Sequence, residues 1–226
     1  MEQKHAKFER LLARCRELAP APTAVAHPCD ESSLRGAVEA AKKGIIQPIL
    51  VGPRSKIESV AREFGLDIAP YEIVDADHSH SAAERAVQLV HEGRAELLMK
   101  GSLHTDELMA AIVRSGTGLR TNRRISHCFI MDVPNLDRAI FVTDAAINIF
   151  PTMEDKMHII QNAIDLAHSL GMEKPKVAIL SAMETINPKL QSTIEAGALC
   201  KMADRGQITG GVLDGPLALD NAIDLD

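Results

Sequence analysis

The sequence has no run of lysine and arginine dense enough to make a basic face, and its formal net charge is −6. That argues against nucleic acid or an acidic membrane surface as the main partner, so an anionic ligand must be held by a local cluster. No apolar run is long enough to span a bilayer, and the opening MEQKHAKFERLLARC lacks the apolar core of a signal peptide. The four cysteines, Cys15, Cys29, Cys128 and Cys200, lie far apart and form no C-x-x-C pair. Such spacing suits buried thiols in a reducing cytosol; neither a disulfide framework nor a metal site is expected, and the expected location is cytoplasmic. Two nucleotide fingerprints are also missing. ITGGVLDGP has glycines without dinucleotide-motif spacing, and no Walker-type lysine loop occurs. Hydride transfer and nucleotide hydrolysis therefore have no support.

What is present is an ordinary globular composition, 46% hydrophobic and 25% charged over 226 residues, enough for a core without staples. Phe8, Leu11, Leu12, Cys15 and Leu18 recur at helical spacing and predict an amphipathic opening helix. Short apolar runs then alternate with helical patterns. TAVAH, QPILVG, YEIVD and AELLMKG read as strands. Between them fall a helix capped by Asp30 and stopped at Gly44, SKIESVAREFG, and a helix over 81–92 with Ser81 and Glu84 in capping-box spacing. TDELMAAIVRSG follows the fourth strand as a helix. This alternation predicts a parallel sheet covered on both faces.

From Ile125 the rhythm changes. ISHCFIMDV and RAIFVTD flank PNLD and predict a hairpin. Alternation then resumes with a helix over 153–169 capped by Thr152 and Asp155, strand KVAILSA, a helix over 189–202 and strand ITGGVLDG. The expected division is an N-terminal α/β/α domain at 1–123 and a second α/β domain with the hairpin at 124–226.

Ligands of parallel α/β sheets collect at the carboxyl ends of the strands. The polar residues expected there are Lys100, Ser102, His104 and Thr105; Thr143, Asp144 and Asn148; then Ser181, Glu184, Asp214 and Asp220. Each has a plainer reading. Ser102 or Thr105 would serve as a helix cap, and the basic run with Arg120, Arg123 and Arg124 as a solvated linker. Lys100, ending an apolar strand beside a glycine and a helix N-terminus, suits an anion. Asp144 precedes the apolar AAINIFP and needs a partner wherever it is buried. His78 and His80 in DHSHS have no matching ligand cluster and read as the start of a helix.

The blocks LMKGSLHTDEL, RRISH, FVTDAAINIFP, QNAIDLAHSLGMEKPKVAILSAMETINPK and ALCKMADRGQITGGVLDGPLALDNAI resemble the phosphate acetyltransferase and phosphate butyryltransferase family. HAKFERLLARCRELAPAPTAVAHPCD is similar to the acyltransferase half of bifunctional proteins with an upstream enoyl-CoA hydratase domain. The resemblance implies transfer of a short acyl group, acetyl or butyryl, between coenzyme A and orthophosphate. It implies two α/β/α domains of the isocitrate/isopropylmalate dehydrogenase type, with the active site in the cleft between them, and a homodimer. No cofactor is implied, coenzyme A being a substrate. On this reading Ser102 and Thr105 face the phosphate or the carbonyl, with Lys100 adding charge. Arg120, Arg123 or Arg124 grips phosphates of coenzyme A, and Asp144 and Asn148 line the opposite wall beside Ser181, Glu184 and Asp214. Family members continue past DNAIDLD with a Ser-Arg and acidic motif, so the C-terminal part is expected to be missing and this chain's own turnover impaired. The alternatives are a non-catalytic coenzyme A-binding or scaffold domain and a metal-dependent decarboxylating dehydrogenase, for which Asp214 and Asp220 would serve as ligands.

Overall fold

Four short apolar runs of the first half assemble into one parallel sheet. The computed structural model describes residues 6–134 and 136–223. After α1 (Ala6–Cys15), β1 (Ala21–Ala26), β2 (Ile46–Gly52), β3 (Glu72–Asp75) and β4 (Leu97–Lys100) alternate with α2 (Glu31–Lys42), α3 (Arg54–Glu63) and α4 (Ser79–His91), and α5 (Thr105–Ile112) follows β4. The spatial order is β3-β2-β1-β4. The alternating faces of β1 and β2 bury two cores. Val25 and Leu50 pack with Leu34 and Ala37 of α2 and Ile57 and Ala61 of α3. Ala24, Ala26, Ile49 and Val51 pack on the other face with Ala82, Ala86 and Val87 of α4 and Leu108 of α5. Each fully buried leucine or isoleucine here contributes about 1.5–3 kcal/mol relative to exposure.

That order has a consequence for function. The chain steps outward from β1 through β2 to β3, then crosses back under α4 to place β4 on the other side of β1. The direction of winding reverses between β1 and β4, the position at the strands' carboxyl ends where open parallel sheets form their binding crevice. Gly101 closes its floor. Its N–H donates to the Ala26 carbonyl at 2.8 Å, and a Cβ on it would lie 2.4 Å from that same oxygen.

The chain forms two compact units, one of Phe8–Thr121 and the other joining the residues up to Lys7 to those from Asn122 onward. In the second, β5 (Cys128–Met131) and β6 (Ile140–Thr143) form an antiparallel hairpin; the turn expected at PNLD contains Asn135, which lies outside the described residues. There follow α6 (Met153–Ser169), β7 (Lys176–Leu180), α7 (Gln191–Asp204), β8 (Val212–Leu217) and α8 (Leu219–Ile223). Ile160, Ile164, Leu199 and Ile208 form the core under the parallel pair β7 and β8.

Three local expectations need correction. The cap of α4 is His78, whose side chain accepts from the Ser81 N–H while the Ser81 hydroxyl oxygen accepts from the His78 N–H; Ser81 is the third residue of the helix, not its cap. The opening helix ends at Cys15, so Leu18 lies beyond it and is 70% exposed. The strand expected from Ile208 begins only at Val212, because Gly210 and Gly211 press against His168 and Ile164 of α6, with no room for a side chain. No described helix is long and apolar enough to cross a membrane.

Candidate functional site

The crevice between β1 and β4 is built by chain segments 75 residues apart, the distance between His27 and Ser102. His27 follows β1 with φ +55, the left-handed region that a residue with a side chain seldom adopts. Four hydrogen bonds hold it there. Its N–H donates to Val51 O at 2.7 Å, and its carbonyl accepts from Cys29 N at 2.8 Å, Ser102 N at 2.9 Å and Ser102 Oγ at 2.8 Å. A strained backbone kept in place by so many bonds is the kind of feature that gathers at functional sites.

Ser102 Oγ also accepts from Cys29 N at 3.1 Å and lies 3.2 Å from His27 Nδ1. A hydroxyl has one hydrogen and two lone pairs, matching these three contacts. This corrects the capping expectation: Ser102 does not cap α5, and its hydroxyl is engaged with β1's end. Thr105 is not the cap either: His104 holds that position, its N–H donating to Glu107 Oε2 at 3.0 Å, and Thr105 is an exposed first residue of the helix.

The charges around this crevice are mixed. Lys100 is exposed at the end of β4, with its Nζ 3.4 Å from Gly101 O. Asp30 caps α2, accepting from Ser33 N at 2.8 Å. Hydrogen bonds from Ser33 hold its carboxyl below the ordinary range, and Lys100 assists. Burial and then the positive charge of Lys56, on the first turn of α3, lower the pKa of His27, while Glu107 and Asp30 oppose this. Burial pushes the Cys29 thiol up to about 11, so it stays protonated at neutral pH. His27 and Lys56 are the residues that sequence reasoning missed here.

The second unit carries a separate polar network. Asp144 Oδ1 accepts from Ala146 N at 3.0 Å, Ile147 N at 3.1 Å and His127 N at 3.3 Å, and Oδ2 accepts from Asn148 N at 3.0 Å and from the Asn148 amide. Desolvation opposes ionisation, yet the bonds from Ala146, Asn148 and Ile147 outweigh it and hold the carboxyl at about 2. A carboxylate this weakly basic organises the loop; it is a poor general base at neutral pH. Asn148 is fully engaged too. Its Nδ2 donates to Ile125 O at 3.0 Å and to Asp144, and its Oδ1 accepts from Arg124 Nε at 2.7 Å. Asp144 and Asn148 thus face each other and Arg124, and their polar atoms are used in building this mount.

The three candidate arginines differ. Arg124 is held through Nε by Asn148, with Asp155 at 3.6 Å and with its own N–H on His158 Nδ1 at 3.1 Å. Among the described residues its contacts run through Nε, so the terminal nitrogens leave the guanidinium's forked edge for an anion. Arg123 is paired, with Nη1 2.8 Å from Asp165 Oδ2 and 3.1 Å from Asn162 Oδ1. Arg120 is exposed and belongs to the first unit. At the ends of β7 and β8, Ser181 Oγ bonds Ser192 Oγ at 2.8 Å, Glu184 accepts from Asn221, and Asp214 accepts from Gly215 N at 2.8 Å. None of these described contacts joins them to the Arg124 network. Among the described residues no cluster of three or more His, Cys, Asp or Glu side chains is placed to hold a metal ion.

With this geometry in hand, comparison with known proteins is informative. A family model described as phosphate acetyl/butaryl transferase matches residues 80–226. The chain is 65% identical over 218 residues to the phosphate acetyltransferase of Rhizobium meliloti, covering 96% of this chain and 69% of that protein. It is 43% identical over 216 residues to the phosphate butyryltransferase of Clostridium beijerinckii, covering 96% and 72%. The solved branched-chain phosphotransacylase from Enterococcus faecalis V583 superposes with a TM-score of 0.72 at 30% identity, over 88% of this chain and 69% of that one. The chain therefore spans about two thirds of the length of the curated relatives it matches.

Proposed function

The chain belongs to the phosphate acetyl/butaryl transferase family, and we propose that it carries the phosphate-binding half of a reaction exchanging a short acyl group between coenzyme A and orthophosphate. The observation that carries this reading is the 65% identity to a phosphate acetyltransferase along nearly the whole chain. The geometry adds two anion-competent positions: the winding reversal between β1 and β4, with Lys100 and Lys56 nearby, and the mounted guanidinium of Arg124.

The chemistry asks little acid catalysis of the protein, because a thiolate is a tolerable leaving group. A phosphate oxygen bonds to the thioester carbon, the carbon–sulfur bond breaks, and the phosphate's proton ends on the coenzyme A sulfur. Holding phosphate beside the carbonyl supplies several kcal/mol of barrier lowering, and a preorganised donor at the carbonyl oxygen roughly 2.7–4 kcal/mol more. In this reading Lys100 and Arg124 bind anionic groups of the substrates, Asp144 and Asn148 aim Arg124, and Arg120 is a further contact for coenzyme A phosphates. Thr105, exposed at the start of α5, offers its hydroxyl to the phosphate. Ser181, Glu184 and Asp214 are proposed to contribute to the wall of the substrate site. A location in the cytoplasm, a homodimer, and a fold shared with isocitrate dehydrogenase belong to the same reading. So do the division near residue 123, a C-terminal segment beyond this chain, and an upstream hydratase domain in a parent protein.

The test is release of coenzyme A thiol from acetyl-, propionyl- and butyryl-CoA, with and without orthophosphate. It is run on this chain and on this chain extended with the remaining third of the Rhizobium relative. Phosphate-dependent release by either supports the reading and ranks the acyl groups. Silence from both overturns it and favours a coenzyme A-binding module.

A further inference from the structure

We propose that His27 is a specificity-determining residue that accepts a hydrogen bond from the P–OH of orthophosphate through Nε2, and that Ser102 is the positioning residue that makes this acceptor available. The proposal rests on the phosphate-dependent reading above for the identity of the ligand.

The argument begins at Ser102 Oγ. Its nearest acceptor is the His27 carbonyl at 2.8 Å, which takes the single hydroxyl hydrogen. Cys29 N–H points at one lone pair from 3.1 Å. His27 Nδ1, at 3.2 Å, then meets the remaining lone pair, so it approaches as the N–H donor. In a neutral imidazole this leaves Nε2 with the lone pair. The geometric contacts of the imidazole run through Nδ1 to Ser102 Oγ, with the Ser102 backbone a further partner of the ring, while the backbone of His27 is fixed on both sides. The result is an oriented acceptor at the winding reversal, where parallel α/β sheets bind their ligands.

An acceptor between Lys56 and Lys100 is unusual for an anion site, and the choice of anion gives it meaning. Lys56 and Lys100 attract any oxyanion. Orthophosphate near neutral pH still carries a P–OH hydrogen, which Nε2 can receive. Sulfate has the same shape and charge but no hydrogen, so its oxygen would face the imidazole lone pair. Phosphate monoesters such as that of coenzyme A have lost nearly all their P–OH hydrogen at neutral pH. The acceptor therefore selects inorganic phosphate over both. A site built to bond a substrate hydrogen rejects analogues lacking it strongly, and roughly tenfold discrimination or more is expected here.

The groups facing His27 keep it in the required state. Burial and then Lys56 from α3 disfavour the imidazolium, against Glu107 from α5, the hydrogen bond with the Ser102 backbone and Asp30 at the start of α2. Protonation below its lowered pKa would turn Nε2 into a donor, so discrimination against sulfate is expected to vanish as the pH falls through that range.

The experiment is long-range proton–nitrogen NMR of the imidazole in the 226-residue chain, titrated separately with orthophosphate, sulfate and coenzyme A. The expected result is a neutral Nδ1–H tautomer for His27 and an Nε2 shift with orthophosphate at least tenfold lower in half-saturation than with sulfate or coenzyme A. Ser102→Ala should mix the tautomers, and Ser102→Thr should restore the single one, a readout that a merely structural role would not move. His27→Asn keeps a donor toward Ser102 while removing Nε2, and should equalise phosphate and sulfate in competitive binding. An Nε2–H tautomer, or an Nε2 signal unmoved by phosphate in a chain that turns over, overturns the proposal. A phosphate-specific shift where neither this chain nor the extended chain turns over instead supports this site and counts against the transferase reading.

Discussion

Asp144 shows how far a residue type can be read and where reading ends. The sequence identified an acid at a strand end before an apolar loop, and the expectation that it needs partners is met by Ala146, Ile147, Asn148 and His127. Which role those partners impose was not legible, because each bond depends on how the loop closes. With its pKa held down to about 2, the folded chain binds its proton less readily than the unfolded chain does. That stabilisation is present above about pH 4 and is lost as the pH falls towards 2. Discounted for solvent screening, it is worth about 1 kcal/mol. Asp144→Asn should therefore flatten the acid limb of a urea-melt stability profile between those limits, measured by circular dichroism. Arg124 gives a second residue-scale prediction. Arg124→Lys keeps the charge but loses the fork seated on Asn148, and should weaken coenzyme A binding about tenfold by calorimetry.

At the scale of elements, the apolar runs were clearest for the central β1 and β2, because a strand buried on both faces shows itself as a hydrophobic stretch, whereas β3 and β4 are edge strands with exposed ends. Element ends were less legible. α4 begins at His78 because an imidazole nitrogen can serve as a cap acceptor, a role that serine spacing conceals. His27 was missed for a different reason. Its meaning comes from strand order, and a lone histidine after a short strand carries no periodic signal; the basic-free, cap-like Ser102 was read by itself. The order β3-β2-β1-β4 brings the two together. Gly101 tests that junction. Gly101→Ala places a methyl against the Ala26 and His27 carbonyls, backbone groups that cannot turn aside, and should cost about 2–3 kcal/mol in chemical denaturation. Gly36→Ala is its control. Gly36 lies inside α2, and a methyl there meets only Met99 at ordinary contact distance, 3.5 Å. That change should stabilise by about 0.5–1 kcal/mol.

For the molecule as a whole, composition was informative mainly by exclusion, while the long motif blocks carried the family. A family model over residues 80–226 and relatives at 65% and 43% identity agree with them. The division of labour between the two units was not legible from either source. One unit holds the junction of His27 and Ser102 made from backbone convergence, and the other holds an arginine mounted on a loop. The most direct measurement of the central claim is synthesis of acyl-CoA from acyl phosphate and coenzyme A, followed by chromatography of the thioester. It is run on this chain and on the chain extended with its relative's remaining third. The account predicts thioester formation that requires both substrates and is inhibited by added orthophosphate far more than by sulfate. Formation insensitive to orthophosphate, or none from either chain, would contradict it.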